Sequence, residues 1–499
     1  MAARHSNRLS RNAVLPSSKV LTDSLTPALT RASARLARPG TPAVSVLNHV
    51  LVFALWVTLF LLAFGRGGVL AWSVGLAYLG YDAALQVFTG WQIRRIGRSA
   101  PPVEAGTDRL TLTVIIAARD EAAALPDTLA ALLDQADPPD EILIADDGST
   151  DATTEILCEN YGFEVPPIGH VSGPVRLGST ALRWLRLAHG GKSAALNAGL
   201  LRTDTDVILT VDADTVPDPG ATGAVRQAFS REPQLVAVTG VITPRCPPTA
   251  LGRVMQYFQT YEYIRNFLGR YAWMGVDCLQ LISGAFAGFR RESVTDVGGF
   301  DDACLVEDYE LVARMRRFAG DRQLDWRFRV LGDAQACTEA PASVRAFLRQ
   351  RRRWFGGFLQ PHWWYRGMVG DPRFGRLGTV MLPVKAIDTV APLYGLTAFG
   401  LLVYFLATRH VAVLAPVLVV IVGKIAMDMA FGVRALRHYR RWVGDPGRAS
   451  LPAAAAALVL EPLTFTLLLH AGAVLGWLAF LGGQTQRGKD GLPLRHVRW

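Results

Sequence analysis

An α/β domain inserted between N-terminal and C-terminal transmembrane α-helices is the fold class this sequence predicts, on three observations. Half of its 499 residues are hydrophobic and its mean hydropathy is +0.22, whereas a water-soluble enzyme of this length seldom averages above zero. Apolar runs long enough to cross a hydrocarbon core of about 30 Å gather at the two ends of the chain. Between them, from Thr107 to Trp364, short apolar segments alternate with amphipathic ones, the texture of a mostly parallel sheet covered on both faces.

Residues 1–42 are rich in Arg, Ser, Thr, Ala and Pro, with Asp23 the only acid. They read as a disordered basic tail. The composition is also that of a transit peptide, but a cytosolic tail ahead of a membrane anchor is the simpler reading. Residues 43–90 form a transmembrane hairpin: apolar runs at 43–64 and 69–88 joined by a Gly-Arg-Gly-Gly turn. Arg94, Arg95 and Arg98 follow it, which puts both ends in the cytosol by the positive-inside rule.

Residues 107–340 make the cytosolic α/β unit. Strands are expected at 112–117, 141–145, 207–211 and 235–241, and helices at 121–133, 192–201 and 220–229. Functional loops belong at the carboxyl ends of such strands. Stretches 251–273 and 343–367 combine aromatic rings with arginines, a pattern suited to helices lying in the headgroup plane. The second falls within an interfacial region, 341–386. The C-terminal transmembrane region, 387–482, holds apolar runs at 387–407, 411–431 and 452–481, with a basic loop at 434–448. A basic cytosolic tail, 483–499, follows. The last run is long for one span and short for two, so the side on which the chain ends stays open.

Asp82, Lys385, Asp388, Lys424, Asp428 and Glu461 lie in or beside these runs. Ionisable groups are costly there, and either a polar conduit or pairing between helices accounts for them. The net charge of +10 invites a nucleic-acid reading. The arginines crowd beside apolar runs, however, so lipid headgroups and a phosphate-bearing donor are the expected partners, and nucleic acid is not. The cysteines at 158, 246, 278, 304 and 337 are odd in number and show no CxxC spacing. That argues against a disulfide framework or a metal role and fits a reducing compartment.

Four motifs carry chemistry. Ile142-Leu143-Ile144-Ala145 runs into Asp146-Asp147-Gly148-Ser149, a strand ending in two acids, which alone could be a helix cap. Val207-Ile208-Leu209-Thr210-Val211 runs into Asp212-Ala213-Asp214. Residues i and i+2 at a strand end point the same way, so these carboxylates can share one cation, without which two like charges held so close are unfavourable. Ser283-Gly284-Ala285 offers small residues where a substrate could approach the backbone. Glu307-Asp308 then opens a helix, and Gln350-Arg351-Arg352-Arg353-Trp354 closes the region.

In this order and spacing the set resembles glycosyltransferase family 2. It most resembles the membrane-integrated processive synthases of cellulose, chitin, hyaluronan and poly-N-acetylglucosamine, whose signature is D, DxD, (T/G)ED and Q(Q/R)xRW. The resemblance covers about 110–366 and the flanking spans. It implies a GT-A-like nucleotide-sugar-binding domain that transfers sugar from a UDP-sugar with inversion and uses Mg²⁺ or Mn²⁺. By the same resemblance Arg119 and Glu121 lie near the nucleotide base, where Asp120 stands in place of the family's usual Asn, and Asp147, with Asp146, contacts uracil. Lys192 sits at the diphosphate, and Asp212 and Asp214 hold donor phosphate and metal. Asp308, beside Glu307, is the general base. Gln350 and Arg353 line the diphosphate, while Trp354, Ser283, Gly284 and Ala285 line the acceptor. Val306 replaces the Thr or Gly of the third motif, which touches only local packing.

The resemblance further implies a multi-pass protein of the plasma (bacterial inner) membrane with its catalytic domain in the cytosol. Such a protein elongates a β-linked polysaccharide and passes it through its own membrane region, with membrane lipids and accessory export subunits as partners. Neither a cyclic-dinucleotide domain after the last span nor an FFCGS-like motif is expected, which points away from cellulose. The alternative is a nonprocessive enzyme that glycosylates a lipid. A nucleotide-gated transporter would not need Asp308 together with Gln350 and Trp354. The donor sugar is not legible.

Overall fold

The computed structural model describes residues 18–96, 109–444 and 450–483. Arg98, most of the terminal basic tail and the first part of the N-terminal one lie outside the described residues. The central unit is one nine-stranded sheet: β1 (Leu112–Ala118), β2 (Glu141–Asp146), β3 (Val175–Leu177), β4 (Thr180–Arg186), β5 (Val207–Asp212), β6 (Thr215–Pro217), β7 (Leu235–Arg245), β8 (Phe286–Arg290) and β9 (Arg327–Glu339). Their spatial order is β3-β4-β2-β1-β5-β8-β7-β9-β6. The four expected strands are β1, β2, β5 and β7, and the expected helices appear at Leu125–Leu133, Lys192–Leu200 and Ala221–Arg231. The first helix starts four residues late because Asp120, at φ +56°, turns the chain there.

The sheet is mixed rather than mostly parallel. Strands β4, β2, β1 and β5 run parallel, and β9 runs parallel to β7. Strand β8 enters antiparallel between β5 and β7, and β3 and β6 are antiparallel edge strands. The reversal of β8 has a consequence for the site. Phe286 pairs with Val211, so Ser283-Gly284-Ala285 arrives at the edge where β5 ends. Helices cover both faces. Helix Lys192–Leu200 lies so close that a Cβ on Gly199 would stand 2.8 Å from Ile115 Cγ2.

Two terminal segments join this unit. Residues 18–37, expected to be disordered, are helical at Ser18–Ala32 and Ala34–Ala37. Leu25, Leu29 and Ala32, spaced by four and three, make one apolar stripe, and Leu25 and Ala32 are buried in the domain core. At the other end, helix Val411–Val443 runs on into the expected basic loop and buries Ala435, Leu436, Tyr439 and Val443 in the same core. Helix Ala250–Met274 likewise turns Tyr261, Ile264, Phe267 and Leu268 into protein rather than presenting all its rings to headgroups. Tyr257 Oη donates to Ala453 O at 2.5 Å.

Among the described residues, four helical stretches are long and apolar enough to cross a membrane: Ala43–Gly65, Gly68–Arg95, Leu377–Ala407 and Val411–Val443. The last apolar run is a bent pair, Leu451–Leu460 and Phe465–Leu481, with 58° between its halves. Of the two readings of the membrane ionisable groups, the described residues show mutual pairing. Lys424 lies 2.6 Å from Asp82 and also pairs with Asp428, while Gln86 bonds both carboxylates. Lys385 pairs with Asp388 at 2.9 Å, and Arg265 with Glu461 at 2.7 Å.

Candidate active site

Strands β1, β2 and β5 end at one edge, with Ala118 beside Asp146 and Ala117 beside Asp212. This brings Arg119 and Glu121, Asp146 and Asp147, and Asp212 and Asp214 together, as is usual for open sheets, whose ligands sit outside the carboxyl ends. Asp146 is buried, and both its oxygens have internal donors, Ser149 N at 2.9 Å and Trp184 Nε1 at 3.4 Å. Its carboxylate is therefore held at the strand end by two internal bonds. Asp147 orders a loop. It accepts from Gly190 N at 2.7 Å and Gly191 N at 2.9 Å, and His189 Nδ1 lies 2.8 Å away. The exposed Arg119 guanidinium meets the His189 ring at 2.7 Å. The Asp147–His189–Arg119 chain thus forms one wall of the edge and delivers Lys192 to its helix start.

Lys192 joins two motifs. Its Nζ is 2.5 Å from Asp212 Oδ1 and 3.6 Å from Glu307 Oε1. Partial burial opposes its charge, but Asp212 and Glu307 outweigh that and raise its pKa. Glu121 is pushed up to about 7 by burial and by the nearby Asp214, Glu339 and Asp212. Asp214 is raised by burial and Asp212, although Thr338 Oγ1 donates to it at 3.2 Å. Carboxylates that repel one another in this way suit a hard divalent cation with oxygen ligands. Among the described residues no three His, Cys, Asp or Glu converge as a full ligand set.

Asp308 sits in the first turn of helix Glu307–Arg322. Its Oδ1 accepts from Tyr309 N at 2.8 Å and its Oδ2 from Gly284 N at 2.7 Å. A Cβ on Gly284 would come 2.9 Å from that oxygen, so a larger residue there displaces the carboxylate. The neighbouring Ala285 O accepts from Asp212 N at 3.2 Å. The segment 283–285 therefore touches both the DxD acid and the expected base. Burial, then Glu307, raises the Asp308 pKa to about 6 against the pull of Lys192.

Helix Val344–Trp364 brings the last motif. Trp354 packs against the cluster of Cys304, Val306 and Tyr309, and Gly357 lets the helix close on Val306, which a Cβ would approach to 2.8 Å. The valine in the third motif is thus accommodated by a glycine two turns away from Gln350. Gln350 Oε1 is buried without a partner among the described residues, and Arg353 is exposed. Arg351, given no role from sequence, is the buried arginine. It bonds Glu262 at 2.5 Å and lies over the Trp354 ring at 4.5 Å, occupying one face of the ring expected for a sugar.

His189, Thr338, Glu339 and Arg270 escaped the sequence reading. Arg270 is lowered to about 10 by burial, against the attraction of Asp308, and its Nε and Nη1 lack partners among the described residues. The glycines at 190 and 191 ahead of Lys192 were the available signal for His189. Nothing local marked the other three.

A mixed sheet whose carboxyl edge gathers a DxD pair, a helix-start carboxylate and a bridging lysine defines the GT-A-like class of glycosyltransferases. The chain belongs to glycosyltransferase family 2. The model of Glycosyl transferase family 2 matches residues 113–298, and that of Glycosyl transferase family group 2 matches residues 207–469. The poly-beta-1,6-N-acetyl-D-glucosamine synthase of Staphylococcus epidermidis is 27% identical over 251 residues, 49% of this chain and 54% of that protein. The enzyme of the same name from Staphylococcus aureus strain COL matches to the same extent. The chain spans about half the length of these curated relatives. Among solved structures, the mannosyltransferase PcManGT of Pyrobaculum calidifontis, in complex with GDP-Man and Mn²⁺, superposes with a TM-score of 0.51. It is 19% identical and covers 79% of this chain and 99% of its own.

Proposed function

We propose that this family 2 enzyme is an inverting, processive synthase that elongates a β-linked glycan from a UDP-sugar, with UDP-N-acetylglucosamine the first donor to test. The observation that carries the reading is the placement of Asp308, bonded to Gly284 N, next to Glu307, which Lys192 bridges to Asp212. An acceptor hydroxyl lying over 283–285 gives its proton to Asp308 as its oxygen bonds the anomeric carbon, and the bond to UDP breaks on the opposite face. A positioned base contributes about 10²–10⁴ in rate. Lys192 meets charge developing on the departing diphosphate, and Gln350 and Arg353 are the further donors available to it. Glu307 holds Lys192 in place. Asp147, through His189 and Arg119, shapes the wall for the base of the nucleotide. A divalent cation, Mg²⁺ or Mn²⁺, held by Asp214 with Asp212 would neutralise the same diphosphate when bound. The DxD carboxylates fit it, since burial and the neighbouring Asp212 raise the pKa of Asp214.

The apolar spans support a membrane enzyme, and the proposed arrangement has its catalytic domain on the cytosolic face of the bacterial inner membrane. A second reading, transfer to a lipid, draws on the mutual pairing of Asp82, Lys424 and Asp428, which leaves those groups less free to line a conduit. The test is product analysis. The protein in lipid is given radiolabelled UDP-sugars and GDP-mannose with Mg²⁺ or Mn²⁺. A large product digested by a β-1,6-N-acetylglucosaminidase supports the synthase, and a small product extracted into organic solvent supports the lipid reading.

A further inference from the structure

We propose that Arg35, in the N-terminal segment outside both family matches, is a positioning residue for Asp308 and acts through Asp301. The inference rests on the reading of Asp308 as base. Residues 300–306 lead directly into Glu307-Asp308, and this loop is tied at three places. Asn197, on the helix that begins with Lys192, bonds Phe300 twice, Nδ2 to O at 2.8 Å and Oδ1 from N at 2.7 Å. Gln360, on the helix bearing Gln350 and Trp354, accepts from Leu305 N at 3.0 Å and donates to Ala303 O at 3.3 Å. These two ties come from helices that also carry the motifs.

The third tie comes from elsewhere in the chain. Arg35 Nε and Nη2 grip Asp301 Oδ2 at 3.0 Å and Oδ1 at 2.9 Å, a bidentate pair of the strong, directional kind. Asp301 is wholly buried, and its Oδ1 also fixes Ala303 N at 2.9 Å. The nearby Arg314 is spent on Glu310 at 2.8 Å and on the carbonyls of Val297 and Gly299, so the bonded cation for Asp301 is Arg35. The guanidinium is backed by the Trp364 ring at 5.6 Å. Arg317 Nη1 anchors the preceding helix by donating to Ala32 O at 2.8 Å, and Arg317 lies on the helix that Asp308 opens. Losing Arg35 leaves a buried carboxylate without its counter-charge, which a structure relieves by moving the group towards water. The loop then shifts, and Asp308 shifts with it. A displacement of about 1 Å at a reacting group costs about 10²-fold in rate.

The experiment compares the wild type with Arg35→Ala, Arg35→Lys, Asp301→Asn and the double variant Arg35→Ala/Asp301→Asn, all as full chains in lipid. Exposed Arg31, changed to Ala, is the control. With UDP-[¹⁴C]N-acetylglucosamine, Arg35→Ala is expected to lower kcat at least tenfold while KM and UDP affinity stay within twofold. Arg35→Lys should recover most of the loss, and the double variant should be no worse than Arg35→Ala, because both changes act on one contact. Wild-type kcat in Arg35→Ala, or additive losses in the double variant, overturns the proposal. Hydrogen exchange over residues 300–308 is read in parallel without donor. Exchange there should quicken in Arg35→Ala and return in Arg35→Lys, and unchanged exchange overturns the proposal. Absence of wild-type turnover on any donor sinks the proposed function, while the exchange result still decides the role of Arg35.

Discussion

Asp308, as the proposed base, must be ionised to take a proton, and its surroundings resist that. Burial and Glu307 raise its pKa to about 6, so the active, deprotonated form is lost as pH falls through 6 and saturates above it. At pH 5 about a tenth of the carboxyl is ionised. Turnover is therefore expected to be roughly tenfold below its plateau at pH 5 and flat from about pH 7 upward. A rate independent of pH between 5 and 8 would remove Asp308 from the proton transfer. Asp308→Asn is expected to lower turnover by 10³-fold or more with UDP affinity kept within about twofold, by calorimetry. The DxD acids make a separate prediction. Asp214→Ala should weaken UDP binding about tenfold in the presence of Mg²⁺ and leave binding unchanged in its absence. Equal affinity in both variants with metal present would take Asp214 out of the cation site. These acids were legible in the sequence because each ends an apolar strand or starts a helix within its own motif. Arg270, Thr338 and Glu339 were not, because only the tertiary fold brings their distant segments to the same edge.

Helix packing sets how the last motif meets the base. Helix Val344–Trp364 lies along helix Phe465–Leu481 with small residues at the crossing. A Cβ on Gly476 would stand 2.6 Å from Gly356 N and 2.9 Å from Phe355 Cβ, and one on Gly472 2.5 Å from Arg351 Cβ. Close approach through glycines four apart is a device of membrane helices, where burying apolar surface supplies little drive. Backbone atoms cannot move aside as a flexible side chain can, so Gly476→Leu must push the two helices apart. The expected cost is about 1–3 kcal/mol, as for other overpacked interiors. It should appear as a lower unfolding temperature in detergent and as lost turnover, with Gly476→Ala intermediate. Wild-type unfolding and turnover in Gly476→Leu would show that the contact does not constrain the motif. Element by element, β1, β2, β5 and β7 were legible as apolar runs ending in turns. Strands β3 and β6 are three residues each, too short to show a period. Strand β9 was missed because Gly332 and Asp333 interrupt its pattern, and β8 because its Gly288 lets Val225 and Val238 approach where a strand usually carries a branched side chain.

The docked segments constrain the path of the whole chain through a membrane. Arg35 is bound to Asp301 of the catalytic domain, and Gln92 lies 2.8 Å from a Cβ placed on Gly275 of the same domain. If the two helices between them cross a membrane, they start and finish on the catalytic side, with the turn at Arg66–Gly68 on the far side. Val443 O accepts from Gln335 Nε2 at 2.5 Å, so helix Val411–Val443 also returns to the catalytic domain, and the same arrangement puts the turn at Thr408–His410 on the far side. The charge pattern agrees, since each far turn carries one arginine while Arg434, Arg437, Arg440 and Arg441 crowd the returning end. Single cysteines placed at Gly67 and at Arg409 should therefore react with a membrane-impermeant maleimide only from the face opposite the catalytic domain. One placed at Arg31 should react only from the catalytic face, with the five native cysteines as the blank. Inside-out and right-side-out vesicles separate the two faces. Labelling of Gly67 and Arg31 from the same side would mean that the first hairpin does not cross, and the membrane arrangement would have to be drawn from the C-terminal helices alone.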